Sequence, residues 1–186
     1  MQNESREKQL TELRRKDRGV EDETWIQEFL RHTPIGYLAT VNDGQPFINS
    51  NLFVYDETTH CIFMHTANRG RTRTNIEREE KVCFSISEMG RLLPADTALE
   101  FSCEYSGVVV FGTATILQNE IEQKHALQLL MNKYAPHLQE GKDYREIQPE
   151  ELARTSVYKI SIKEWSGKKK KVEDEFAGAY YYNSNS

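Results

Sequence analysis

Residues 35–55 read IGYLATVNDGQPFINSNLFVY. Two apolar runs flank Asn42, Asp43 and Gly44, and an Asp-Gly pair between such runs is a strong signal for a tight hairpin turn. The stretch therefore predicts a strand over 35–41, a turn, and a returning strand over 46–55. A second turn over 56–59 leads into CIFMHT at 61–66. These connections are far too short for parallel crossovers, so the chain opens an antiparallel meander.

Upstream, Asp22 is placed to cap a helix running through His32, with Trp25, Ile26, Phe29 and Leu30 on one face and Pro34 as its stop. Downstream, ANRGRTRTNIEREE at 67–80 is polar and helix-prone, and KVCFSIS at 81–87 is a strand. Residues 89–99 contain Gly and Pro and read as a loop. Residues 102–117 form a long strand broken by Gly107 and Gly112, where bulges or a barrel corner are expected. A helix over 120–134 and a last strand over 156–165 complete the list. Lys168, Lys169, Lys170 and Lys171 read as the solvated end of that strand, and Tyr180, Tyr181 and Tyr182 as part of a loosely held tail. Six or so mostly antiparallel strands with helices outside predict a mainly β fold, a small antiparallel barrel with peripheral α-helices. The organisation is one domain over 21–168, between a charged N-terminal arm or helix at 1–20 and a polar, aromatic tail at 169–186.

Composition narrows the function classes. The 186 residues are 38% hydrophobic and include 8 Phe and 9 Tyr, enough for a core of ordinary size. The net charge of −5 argues against a dedicated nucleic-acid binder or a polybasic membrane anchor. The longest apolar run, 108–111 with flanking glycines, is strand-sized, and residues 1–17 contain no stretch of signal-peptide type. A soluble, cytoplasmic protein is expected. Cys61, Cys83 and Cys103 form no CxxC pair and lie in apolar strands, where thiols act as small hydrophobes. His60, Cys61 and His65 do not have the spacing of a metal site. Neither GxGxxG, GxxxxGK[ST] nor GxSxG occurs.

Two segments carry candidate chemistry. HTANRGRTRTN at 65–75 places Arg69, Arg71 and Arg73 at the start of a predicted helix. Cations are unfavourable there, because the helix dipole is already positive at that end. A bound anion would resolve the conflict, with free backbone N–H groups, Gly70 and the Thr72 hydroxyl forming a phosphate cradle. Pairing of the same arginines with Glu77, Glu79 and Glu80 on a solvated face is the competing reading. On the returning strand, Asn49 and Asn51 share a face with Phe47, Phe53 and Tyr55. Amides in an apolar strand need partners; a flat heteroaromatic ligand or solvent are the two candidates.

The order of these pieces resembles the flavin-binding split barrel of the pyridoxamine 5′-phosphate oxidase-like superfamily, with closest likeness to its nitroimidazole-resistance branch. Besides the segments above, ELRRKDRGVED, CEYSGVVVFGTATIL and YKISIKEWSGKK fit that branch, and the likeness spans residues 13–170. The resemblance implies an FMN cofactor. It lays the flavin ring along Asn49, Ser50, Asn51 and Leu52, sets His65 and Thr66 beside the ring and ribityl chain, and gives the phosphate to Arg71 and Thr72 with Arg69 or Arg73 assisting. It further implies a homodimer with flavin at the subunit interface, and His65 as the catalytic candidate. The implied activity is an oxidoreductase moving electrons from a donor such as NAD(P)H to a small organic acceptor, nitroaromatic or quinone-like. A non-catalytic flavin or haem carrier on the same barrel is the alternative. Ile48 and Phe53 stand where pyridoxamine phosphate oxidases carry basic residues, so vitamin B6 oxidation itself is not expected.

Overall fold

The computed structural model describes residues 10–182. A short 3-10 turn, Lys16–Arg18, leads into β1 (Gly19–Val20) and α1 (Glu23–His32). Asp22 caps α1 as its sequence implied, its carboxylate accepting from the Thr24 N–H at 3.0 Å. Strand β2 (Gly36–Asn42) turns through Asp43 and Gly44, both at positive φ, into β3 (Gln45–Asn51). Then follow β4 (Phe53–Asp56), β5 (Cys61–Ala67), α2 (Arg71–Arg78), β6 (Lys81–Leu93) and β7 (Ser102–Ile116). The described chain ends its regular structure with α3 (Glu120–Tyr134), α4 (Pro149–Leu152) and β8 (Thr155–Lys170).

All strand pairs are antiparallel, in the order β3-β2-β6-β7-β8-β5-β4, with β1 alongside β8. The two ends of this sheet, β3 and β4, are consecutive in the chain and separated by Leu52 alone. The sheet thus returns on itself, yet no ladder joins its ends, which leaves the barrel split at that point. One core fills the curl, with Leu38, Phe53, Ile62, Met64, Phe84, Ile86, Val110 and Tyr158 buried together and Ile26 and Leu30 of α1 closing one end. Strand β5 is buried on both faces. Its Ile62 and Met64 enter that core, while Cys61 and Phe63 pack with Ala126 and Leu130 under α3.

Several expectations are corrected. The single strand expected over 46–55 is two strands at opposite ends of the sheet. The break is held by side chains: Asn51 Oδ1 accepts from the Leu52 N–H at 2.8 Å, and the Tyr134 hydroxyl accepts from the Phe53 N–H at 3.0 Å. The loop expected over 89–99 is strand as far as Leu93, with a register shift between Met89 and Leu92. There Arg91 crosses the hairpin to Glu104. The last strand runs to Lys170, as the reading of the lysines as its end implied, and Gly167 lets it pack closely on Val20, Ile26 and Trp25. The described part of the tail is pinned rather than loose: Leu92 and Tyr180 exchange backbone hydrogen bonds, and Arg91 donates to the carbonyls of Glu173 and Asp174. Of the two glycines in β7, only Gly112 marks an irregularity. A Cβ there would lie 2.2 Å from the Ser161 carbonyl oxygen, so glycine is what permits the β8 backbone to approach. No helix among the described residues is long and apolar enough to cross a membrane.

Candidate functional site

Three elements meet at the split: the edge strand β3, the end of β5 and the first turn of α2. Two side-chain bonds tie them together. Asn49 Nδ2 donates to Thr72 Oγ1 at 3.3 Å, joining β3 to α2, and Asn51 Nδ2 donates to the His65 carbonyl, joining β3 to β5. The asparagines therefore face inward beneath α2, Asn49 opposite Leu38 and Asn51 opposite Gly36 on β2. Ser50 and Leu52 turn outward, leaving the backbone as what they bring to this region. Because β3 pairs only with β2, its second edge presents N–H and C=O groups outside the sheet.

The arginine turn resolves into two kinds of arginine. Arg73 donates from Nε to Glu77 at 2.7 Å and from Nη1 to Ser156 Oγ at 3.1 Å, so for this residue the internal pairing is realised. Arg71 instead lies over the Phe47 ring, 5.1 Å from its centroid. Neither Arg71 nor Arg69 has a carboxylate partner among the described residues. Gly70, the residue before α2, contributes no side-chain cap, and a Cβ placed on it would meet nothing within 4 Å. The positive end of the helix thus carries two arginines with no carboxylate on them, uncapped N–H groups, and open space beside Gly70. Those are the requirements of a phosphate group, and the residues present fit one.

His65 is partly buried, and its Nδ1 is buried without a hydrogen-bond partner. Desolvation pushes its pKa below the ordinary histidine value, which favours the neutral ring at neutral pH. A neutral imidazole can donate one hydrogen bond and accept another; it is a positioning group before it is an acid. Thr66 is already engaged, its hydroxyl 2.8 Å from the Tyr158 hydroxyl.

Some supporting residues gave no local signal. Asn75, 1% exposed, donates to Thr40 Oγ1 at 2.9 Å while its Oδ1 is left unpartnered under α2. Tyr134 and Lys133, at the end of α3, clasp the strand crossing. The tyrosine hydroxyl lies 2.8 Å from the carbonyls of both Pro34 and Phe53, and Lys133 Nζ donates to Thr33 O at 2.9 Å above the Phe53 ring. Burial pushes the Lys133 ammonium down to about 8. These contacts span about a hundred residues of chain or couple buried polar groups, so periodicity and spacing do not announce them.

Residues 22–169 match the family model described as pyridoxamine 5′-phosphate oxidase. No curated protein matches the sequence. Among solved structures, the flavocytochrome Anf3 from Azotobacter vinelandii superposes with a TM-score of 0.77 at 23% identity, over 89% of this chain and 77% of that one. An FAD and heme binding protein from Mycobacterium smegmatis gives 0.72 at 19% identity, over 82% and 73%. A protein from Bacteroides thetaiotaomicron, solved under the provisional description of a 5-nitroimidazole antibiotic resistance protein, gives 0.67 at 18% identity, over 81% and 85%. At these identities the likeness is one of fold.

Proposed function

The chain belongs to the pyridoxamine 5′-phosphate oxidase family, and on that premise we propose that it is a flavin-binding oxidoreductase. It would hold the FMN unit at the split and pass electrons from a reduced donor such as NAD(P)H to a small organic acceptor, nitroaromatic or quinone-like. The observation that carries this reading is the uncapped start of α2, where Arg69 and Arg71 stand without carboxylate partners among the described residues. The similar structures described as a flavocytochrome and as an FAD and heme binding protein support it.

When bound, the isoalloxazine supplies hydride and single-electron transfer. The residues of this chain bind and orient it. Arg71, Arg69 and the first N–H groups of α2 receive the phosphate, with Thr72 beneath them. The free edge of β3 along Asn49, Ser50, Asn51 and Leu52 offers backbone donors and acceptors to the ring. His65, neutral near pH 7, orients the acceptor by a hydrogen bond. Oxidation of a pyridoxamine phosphate is not part of the proposal: Phe53 is fully buried against Phe84, out of reach of any substrate phosphate, and Ile48 is apolar.

The test is the visible spectrum of the purified protein, followed by anaerobic reduction with NADPH and reoxidation by a panel of nitro compounds and quinones. A flavin spectrum, bleached by donor and restored by an acceptor, supports the reading. A Soret band in place of flavin would favour a haem carrier. A colourless protein that stays colourless with excess FMN overturns it.

A further inference from the structure

A cavity of about 320 Å3 lies between the turn that leads into α2, the end of β7, the start of α3, and α4. That volume falls at the lower end of the span of small-ligand sites, about 300–1,000 Å3. Three primary amides line it, and all three are held the same way. Asn68 Nδ2 donates to Ala153 O at 2.6 Å, Gln118 Nε2 to Ile116 O at 3.3 Å, and Gln123 Nε2 to Leu117 O at 2.8 Å. A carbonyl only accepts, so each amide must turn its nitrogen to the backbone and keep its oxygen for another partner. None of the three oxygens has a partner among the described residues. The lining is therefore rich in acceptors.

Two charged side chains complete it. Arg73 spends Nε on Glu77 and Nη1 on Ser156, which fixes its guanidinium, while Nη2 has no partner among the described residues. Glu120 gives Oε1 to Lys124 at 2.9 Å, and its Oε2 has none. The start of α3 makes no separate claim on an anion, because Asn119 Oδ1 already accepts from the N–H groups of Ile121 and Glu122 at 2.9 and 3.1 Å. Buried Leu117 and Leu152 supply an apolar part of the lining.

An ammonium carries three N–H donors and no acceptor, which makes it the complement of Glu120 Oε2 and the free amide oxygens. A carboxylate is the complement of Arg73 Nη2. A ligand that joins both to a small apolar body matches the cavity in charge, hydrogen bonding and size. We propose that this cavity binds a free α-amino acid with an apolar side chain, its carboxylate on Arg73 and its ammonium among Glu120, Gln118 and Gln123. None of these residues is among those proposed to hold the flavin, so this is a second site.

Calorimetric titration of the purified full chain with L-leucine, 3-methylbutylamine and 4-methylpentanoate is the test. The last two are leucine without its carboxylate and leucine without its ammonium. Leucine is expected to bind saturably, and each analogue at least about tenfold more weakly, the worth of one charge-assisted hydrogen bond. Gln118→Lys, at an exposed position, sets a tethered ammonium among the same acceptors. It is expected to weaken leucine about tenfold or more while the melting temperature holds. Arg73→Gln is expected to erase the preference for leucine over 3-methylbutylamine. If that variant fails to fold, the ligand series and Gln118→Lys still decide. No saturable binding up to about 10 mM leucine, equal binding of leucine and its two analogues, or indifference to Gln118→Lys would each overturn the site and leave a solvated hollow only. Flavin binding is measured separately, so none of these results bears on the reading of the split.

Discussion

Arg71 and Arg73 are two residues apart and chemically alike, but their surroundings differ. Arg73 spends two of its nitrogens on Glu77 and Ser156, whereas Arg71 is exposed and meets only the face of Phe47. Arg71→Ala should therefore leave the melting temperature within a degree or two, since an exposed cation–π contact is worth about 0.5–1 kcal/mol. The same change should weaken flavin binding about 10- to 100-fold, the worth of one charged hydrogen bond, read as loss of bound cofactor in titration. His65 makes a prediction about acid. Its folded pKa lies below the unfolded value of 6.5, so the unfolded chain binds more protons in the interval between them. Stability should thus rise with pH through that interval and fall as pH drops below 6.5. Thermal melts of the apoprotein across this range should show the fall, and His65→Gln should flatten it. A variant with an unchanged acid slope would assign the effect elsewhere.

The element that makes the site is a break. Strands β3 and β4 would be one strand by composition, and their separation at Leu52 places Asn49 and Asn51 at one end of the sheet and Phe53 in the core. What holds the break is Tyr134, whose hydroxyl serves the Phe53 N–H and lies within bonding distance of two carbonyls. Tyr134→Phe should cost about 1–3 kcal/mol, because it leaves partly buried backbone groups without their partner. Urea denaturation should register that loss, and flavin affinity should drop with it if the crossing positions the edge of β3. The same break shows where local sequence is informative. The Asp22 cap, the Asp43-Gly44 turn and a helix beginning in the arginine turn are fixed by neighbours within a few residues, and each was legible. The division at Leu52 depends on a hydroxyl 81 residues away, and the extension of β6 on the Arg91–Glu104 pair. No pattern of period two or 3.6 encodes such partners. The site divides in the same way. The family resemblance, not spacing, grouped Asn49, Asn51, His65, Arg71 and Thr72, and hydrogen bonds join Asn49 to Thr72 and Asn51 to His65; spacing left Arg73 open between phosphate and Glu77 and did not show that Tyr158 already holds Thr66.

At the scale of the molecule, the outer face of the sheet beside the split carries exposed apolar side chains, Tyr37, Val41 and Ile48 among them. Register places Tyr37, Ala39 and Val41 of β2 beside Ile48 and Ser50 of β3, and Ile48 is 64% exposed. Next to them, across β6 and β7, lies a shallow apolar-lined hollow of about 530 Å3 that includes Cys83 and Phe111. A contiguous apolar surface of this kind is what a protein partner covers. The partner expected from the family resemblance is a second copy of this chain, and the location supports the choice. The strip is the back of β3, the strand whose free edge is proposed to hold the flavin, so a copy seated here would also wall the open side of the site. A specific dimer buries upward of about 1,000 Å2 in total. Light scattering of the eluted protein should then give twice the chain mass of 21.7 kDa. Ile48→Glu sets a charge in the middle of the strip without touching the core. It should shift the protein to monomer, and flavin affinity should fall in parallel because each site loses the wall supplied by the other chain. If Ile48→Glu yields a folded monomer that binds flavin as well as the wild type does, each site is complete within one chain. If the wild type itself elutes as a monomer at micromolar concentration, the strip serves some other partner.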